Sequence, residues 1–330
     1  MDSQPILVTG ATGLVGHHLT RALLETGYAV RALHRTGSNT NYLPIGHKKL
    51  ELFEGDILDI FRLEEAMIGC RKIIHAAAFI SFRSADRKKL DQVNIDGTAN
   101  VVNLALEQGV ERLVYISSVA ALGRESGSVQ PTSLDDSWQP KRAATNYAAS
   151  KFAAEREVWR GQAEGLAVST VYPSVVVGSG DPERGGTPAL FERIKSGQST
   201  YSTGSSAFVA VADVVDACLY LLQLREDKRI LCHGHNMSWQ EFLSLVAQEL
   251  GVSPPTKAIQ PWQSGLAWPV ANLWSKVTGS DPFLTKDRHR LAHAHYAYEG
   301  DSFEKELGRP FREIEEALNE ATQNSVLPPA

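Results

Sequence analysis

The chain has 330 residues, 43 % apolar and 22 % charged, a globular composition with room for one large α/β unit plus a lobe, or for two domains. A net charge of −5 without any block of basic residues argues against nucleic acid as a partner, and no apolar run is long enough to span a bilayer. Cys70, Cys218 and Cys232 lack ligand-like spacing and no leader precedes the first strand-like run, so the expectation is buried thiols in a reducing, cytoplasmic setting.

Residues 5–9 form a short apolar run closed by glycine, as in a buried parallel strand. Leu14, Val15, His18, Leu19, Ala22 and Leu23 then recur at helical spacing. Gly10, Gly13 and Gly16 therefore lie on a strand-to-helix turn. One glycine allows the tight turn, the next lets the backbone approach a pyrophosphate, and the third lets helix and strand pack closely. The helix start offers free N–H groups to the phosphates. Gly10, Thr12, Gly13, Leu14, Val15 and Gly16 are the expected dinucleotide contacts here.

A second strand is expected over 29–33, ending in His34 and Arg35. The residue at this point faces the adenosine ribose, where a carboxylate would favour NAD. None is present, and a guanidinium suits a 2′-phosphate, so Arg35 points to NADP(H), with NAD(H) still open. A third strand, 50–54, leads to Asp56 and Ile57, where Asp56 is placed to accept from the adenine amino group. Asp59 is the better cap for a helix over 58–67. Strand four, 72–75, ends in Ala76, Ala77 and Ala78, small residues that leave room for a cofactor across the strand ends. A helix over 91–108, strand five over 112–117, a helix carrying Tyr147 to about 162 and strand six over 167–172 complete a β-α-β succession. The fold class is α/β, a doubly wound parallel sheet.

Past Pro173 the rhythm breaks. A glycine-rich excursion, a strand over 207–211, a helix over 213–224 capped by Asp213 and a strand over 229–232 follow. From 237 on the chain reads as mostly helical, with an amphipathic helix over 265–277 and a frayed end over 323–330. Residues 1–177 are thus assigned to the cofactor core, with 206–235 returning to it. Residues 178–205 and 236–330 are assigned to a smaller, mostly helical substrate lobe.

Tyr147 and Lys151 stand four apart on one helix face, so phenol and ammonium can act together. A free tyrosine titrates near pH ~10, and a neighbouring cation favours its phenolate. Lys151 can supply that charge and bind the nicotinamide ribose. A serine hydroxyl would position the substrate oxygen, and Ser118 lies just past strand five. The five histidines 233, 235, 289, 293 and 295 gain no acidic or cysteine partner by spacing, so they are read as solvated, with no metal site expected. Phe79 and Phe82 are candidates for an apolar pocket, with Trp262 and Trp268 either closing it or in the core.

Val-Thr-Gly-Ala-Thr-Gly-Leu-Val-Gly at 8–16, Gly-Asp-Ile-Leu-Asp at 55–59, His-Ala-Ala-Ala at 75–78, Tyr-Ile-Ser-Ser-Val-Ala-Ala-Leu-Gly at 115–123 and Tyr-Ala-Ala-Ser-Lys at 147–151 together resemble the extended short-chain dehydrogenases/reductases. That is the NAD-dependent epimerase/dehydratase superfamily. The likeness is nearest to its dihydroflavonol reductase-like and 3β-hydroxysteroid dehydrogenase-like branch. It implies Ser118, Tyr147 and Lys151 as the catalytic triad. Ser118 is preferred over Ser117, as the second serine of the pair. Pro173 and residues after it, Val176 included, would contact the nicotinamide amide. Asn94 is taken as structural. Such relatives commonly dimerise through two helices per subunit, so a homodimer is a further expectation. Three functions remain open: NADPH-dependent reduction of a ketone or aldehyde, a nucleotide-sugar epimerase or dehydratase with tightly held NAD, and a non-catalytic dinucleotide sensor.

Overall fold

In the computed structural model, which describes residues 4–123, 131–134, 145–278 and 285–324, strands and helices alternate through the first half. The order is β1 (Ile6–Thr9), α1 (Leu14–Glu25), β2 (Val30–His34), β3 (Leu50–Glu54), α2 (Ile60–Met67), β4 (Lys72–His75), a short α3 (Arg87–Leu90), α4 (Gly97–Glu107), β5 (Arg112–Ile116), α5 (Asn146–Ala163) and β6 (Val168–Pro173). Next come β7 (Val175–Val177), α6 (Gly186–Lys195), β8 (Thr200–Ser202), β9 (Ser205–Ala210), α7 (Val211–Gln223) and β10 (Arg229–Cys232). The last part holds β11 (His235–Ser238), α8 (Trp239–Glu249), β12 (Lys257–Ile259), α9 (Pro261–Thr278), α10 (Lys286–His293), α11 (Ser302–Leu307) and α12 (Ile314–Asn324).

Seven strands pair in parallel in the order β10-β6-β5-β4-β1-β2-β3. The chain winds outward from β1 in one direction and from β4 in the other. The crevice between these two strands is therefore the switch point where such sheets bind ligands. Both faces are covered, which explains why the central strands are almost wholly apolar. On one face Leu19 and Leu23 of α1 pack with Val214 and Leu221 of α7 and Phe303 of α11. On the other, Leu63 of α2, Val101 and Ala105 of α4, and Ala154 and Val158 of α5 form a second layer.

A three-stranded sheet, β11-β9-β7, and a two-stranded one, β12-β8, lie outside the main sheet. Of residues 206–235, β10 joins the main sheet and α7 packs on α1, while β9 belongs to the small sheet. Phe208 of β9, Phe242 of α8 and Leu318 of α12 share a separate core.

Several local expectations change. The helix expected over 91–108 opens with a π-turn at Asp91–Asp96 before α4, a widening often found at functional sites. Asp213 does not cap α7. The helix starts two residues earlier, so Asp213 sits buried in its first turn and accepts from Arg312 N at 3.0 Å and Arg309 Nη2 at 2.8 Å. Its charge ties the C-terminal arm to α7. Asp59 does cap α2, accepting from Arg62 N at 3.1 Å. Of the end expected to fray, Gln323 and Asn324 complete α12, and 325–330 lie outside the described residues.

Candidate active site

The turn between β1 and α1 shows why glycine stands at 10 and 16. Gly10 has φ +68°, and a Cβ there would lie 2.6 Å from Ala77 N. A Cβ on Gly16 would lie 2.1 Å from Gly10 O. The turn is thus pressed directly on the end of β4 at the switch point. Gly13 N donates to Gly10 O at 2.9 Å, and Gly13 stands at the N-cap of α1. No side chain caps this helix and its first turn has no acidic residue, so its free N–H groups suit an anion. Thr12 and Gly16 are buried, while Leu14 and Val15 are half-buried.

Thr9 ties the turn to β4. Its hydroxyl lies 2.7 Å from His75 Nδ1 and accepts from Ala77 N at 3.3 Å. His75 Nε2 lies 3.0 Å from Thr98 Oγ1, whose own proton goes to Asn94 O at 2.6 Å. His75 therefore donates from Nε2 and accepts at Nδ1. Burial, then the charge of Lys151, lowers its pKa to about 3, so the ring is neutral.

Thr145 caps α5 through Ala148 N at 3.0 Å, and Asp287 of α10 accepts from Asn146 N at 3.4 Å. Tyr147 and Lys151 follow one turn apart on α5. Tyr147 is half-buried, with the Phe82 ring edge-on at 6.1 Å. Lys151 is 2 % exposed; its Nζ donates to Tyr115 Oη and to Ile116 O, both at 2.8 Å. These contacts use two of three N–H bonds, and the third has no partner among the described residues. Burial pulls the Lys151 pKa down to about 7, against the charge of Glu155.

The two serines after β5 point differently. Ser117 is buried and donates to Glu155 Oε2 at 3.0 Å. Ser118 is half-buried and accepts from Ala120 N at 3.2 Å, leaving its proton for another acceptor. Arg35 is exposed, and its guanidinium forms no bond with the described residues. Asp56 accepts from Leu58 N at 2.9 Å in a local turn, and Ile57 is buried beside Gly97. Ala76 and Ala77 are half-buried and Ala78 exposed. Pro173 closes β6, and Val176 is half-buried in β7.

Asn94 has a pinning role. It accepts from Phe79 N at 2.7 Å and donates to Phe79 O at 3.0 Å and Ser150 Oγ at 2.9 Å. Thr285 donates to Phe82 O at 2.7 Å, so α10 borders the same loop. Trp262 is 66 % exposed and is not a core residue, while Trp268 is half-buried. These histidines are mostly not solvated, contrary to the reading from their spacing. His289 Nδ1 and His293 Nε2 lie 2.9 and 2.7 Å from Ser264 Oγ of α9. His233 and His235 reach backbone carbonyls of Gly300 and Arg312. Of these five only His295 is exposed. Among the described residues no cluster of three or more His, Cys, Asp or Glu side chains could hold a metal ion. Likewise no helix is long and apolar enough to cross a membrane. Sequence reasoning missed Tyr115, Glu155 and Tyr172; the available signal was the four-residue step from Lys151 to Glu155.

The model of the NAD dependent epimerase/dehydratase family matches residues 6–231. The chain belongs to that family. It is an NAD(P)-dependent enzyme of the extended short-chain dehydrogenase/reductase type. It is 32 % identical over 327 residues to a Synechocystis protein named "Putative dihydroflavonol 4-reductase", covering 95 % of this chain and 92 % of that one. The crystal structure of gox2253 superposes with a TM-score of 0.82 at 29 % identity, covering 97 % of both chains. The Bordetella bronchiseptica enzyme WbmH, solved with NAD+, gives a TM-score of 0.76 at 21 % identity and 97 % coverage of both, a likeness of fold.

Proposed function

We propose that this member of the family reduces a ketone or aldehyde to an alcohol, reversibly, with NADPH and with Tyr147 as acid and base. The observation that carries this reading is Lys151: an ammonium one turn from Tyr147, fixed by Tyr115 and the Ile116 carbonyl, with one N–H still to give. The uncapped start of α1 and the close-packed Gly10 and Gly16 fit a diphosphate. Bound there, the nicotinamide supplies or takes up the hydride.

Each side chain then has a task. Ser118, with its proton unspent, donates to the substrate oxygen and stabilises charge on it. Tyr147 donates a proton to that oxygen in reduction and removes it in oxidation. Lys151 favours the phenolate and gives its third N–H to the nicotinamide ribose. Gly10, Thr12, Gly13, Leu14, Val15 and Gly16 hold the diphosphate, Asp56 and Ile57 the adenine, and Ala76, Ala77 and Ala78 floor the crevice. Pro173 and Val176 meet the nicotinamide amide. Arg35, unengaged at the end of β2, pairs with a 2′-phosphate, which favours NADPH. Residues 1–177 and 206–235 form the cofactor unit, and 178–205 with 236–330 form the substrate lobe.

The relative named as a reductase supports this reading. One observation favours a second reading, a nucleotide-sugar epimerase or dehydratase. Arg193 of α6 and Arg288 of α10 are partly buried and near enough to act on one another electrostatically, a pair of positive charges that suits the diphosphate of such a substrate. A panel of carbonyl compounds and nucleotide sugars, with NADPH oxidation followed optically, separates the two. NAD retained through purification, with turnover of nucleotide sugars only, would favour the second. Tyr147→Phe is expected to lower reductase turnover by ~10²-fold or more with NADPH binding nearly intact. Substantial activity in that variant would defeat the assignment.

A further inference from the structure

Behind Tyr147 lies a buried polar layer that reaches beyond the groups given these tasks. Its first part is Tyr115, whose hydroxyl accepts from Lys151 and whose ring stacks on His75 at 5.6 Å. Its second part is Glu155, one turn beyond Lys151 on α5 and 2 % exposed. Ser117, after β5, donates to one carboxylate oxygen at 3.0 Å, and the Tyr172 hydroxyl of β6 donates to the other. Burial raises the Glu155 pKa above the usual carboxylate range, while hydroxyl donors on both oxygens and the charges of Lys151 and Arg229 pull it back towards the ionised form. A buried carboxylate so far from water persists only where a cation lies near.

The charges facing this layer are few. Lys151 meets neutral His75 from β4, Tyr115 from β5 and Glu155 from its own helix. Glu155 meets Lys151, Ser117, Tyr172 and, from the start of β10, Arg229. Tyr147 lies close enough to Tyr115 to act on it electrostatically. Among the described groups acting on Lys151, only Glu155 is a carboxylate.

We propose that Glu155 is a positioning residue for the reaction: fixed by Ser117 and Tyr172, its carboxylate is the buried countercharge that keeps the Lys151 ammonium charged beside Tyr147. This rests on the reading of Tyr147 and Lys151 given above. Burial already draws Lys151 down to about 7, so loss of the one carboxylate that acts on it among the described residues would leave a neutral amine at working pH. A neutral amine exerts no pull on a phenol. The step from Lys151 to Glu155 therefore sets where on the pH scale the pair works.

The test uses the full chain labelled at lysine Cε with carbon-13, the Lys151 signal being assigned by its loss in Lys151→Met. In Glu155→Gln, which keeps the shape and loses the charge, the Lys151 inflection is expected to fall by ~1 pH unit or more. The alkaline limb of kcat/KM for carbonyl reduction should move down with it. Tyr172→Phe keeps the charge but removes one of its donors, and should move both in the same direction by less. An unmoved Lys151 titration in folded Glu155→Gln, or in Tyr172→Phe should the first variant not fold, overturns the proposal even if turnover drops. Full activity in Tyr147→Phe would instead sink the reading of the reaction, and the Lys151 titration then decides the countercharge by itself.

Discussion

Lys151→Met isolates what it costs this protein to keep an ammonium in its core. In the folded chain the group titrates near about 7, against 10.5 for an ordinary lysine. At ~1.4 kcal/mol per unit, that gap opposes folding by on the order of 5 kcal/mol wherever the amine is charged in both states. Methionine removes the penalty but orphans the Tyr115 hydroxyl and the Ile116 carbonyl, at ~1–3 kcal/mol each. The two effects nearly cancel, so at pH 6 the variant should lie within about 2 kcal/mol of the parent. The pH dependence is sharper. Because the folded pKa is lowered, the unfolded chain holds the extra proton between about 7 and 10.5, and the parent gains stability as pH rises through that window. The variant does not. Between pH 6 and pH 9 the parent should therefore gain roughly 3 kcal/mol over Lys151→Met. Urea unfolding followed by tryptophan fluorescence at the two pH values measures it. Parallel stability curves for the two proteins would refute the burial argument.

Gly10→Ala should lose ~2–4 kcal/mol, from left-handed strain and from pressing a methyl 2.6 Å from Ala77 N, and should also weaken cofactor binding. Denaturation and calorimetric titration check both, and a fully stable variant would show that the turn is looser than described. Arg35→Ala should weaken NADPH by ~1.5–3 kcal/mol with little change for NADH; equal losses would contradict the 2′-phosphate role. His75 is neutral in the fold with its pKa lowered to about 3, so stability should fall as pH drops from ~6.5 towards 3, where only the unfolded chain takes up the proton. A His75→Gln variant should show a shallower fall over the same range, and an identical slope would exclude His75 as the source.

What was legible in the chain was local. Gly10, Gly13 and Gly16, or Tyr147 and Lys151, declare themselves because a turn or a helix face brings near neighbours together whatever the rest of the molecule does. The alternating strands and helices gave the parallel sheet for the same reason. What escaped lies between segments far apart in sequence. Tyr115 and Tyr172 read as ordinary strand residues, yet one accepts from Lys151 and the other donates to Glu155. Asp213 looked like a helix cap, but its charge belongs to Arg309 and Arg312 almost a hundred residues later. His289 and His293 are spaced as if exposed, and only the placement of α9 brings Ser264 between them. No period or motif encodes such meetings.

The Asn94 amide has a consequence for how this scaffold can change its diet. One short side chain grips the backbone of Phe79 on one side and Ser150, next to Lys151, on the other. On the proposed reading, the stretch after β4, the wall that would face a substrate, and the helix carrying Tyr147 are riveted at a single point. Lineages are then free to repaint the wall by swapping side chains at Phe79 or Phe82, but lengthening or shortening that stretch would tug on the chemistry itself. Diversity among such enzymes should accordingly accumulate as substitutions before the rivet and as insertions elsewhere.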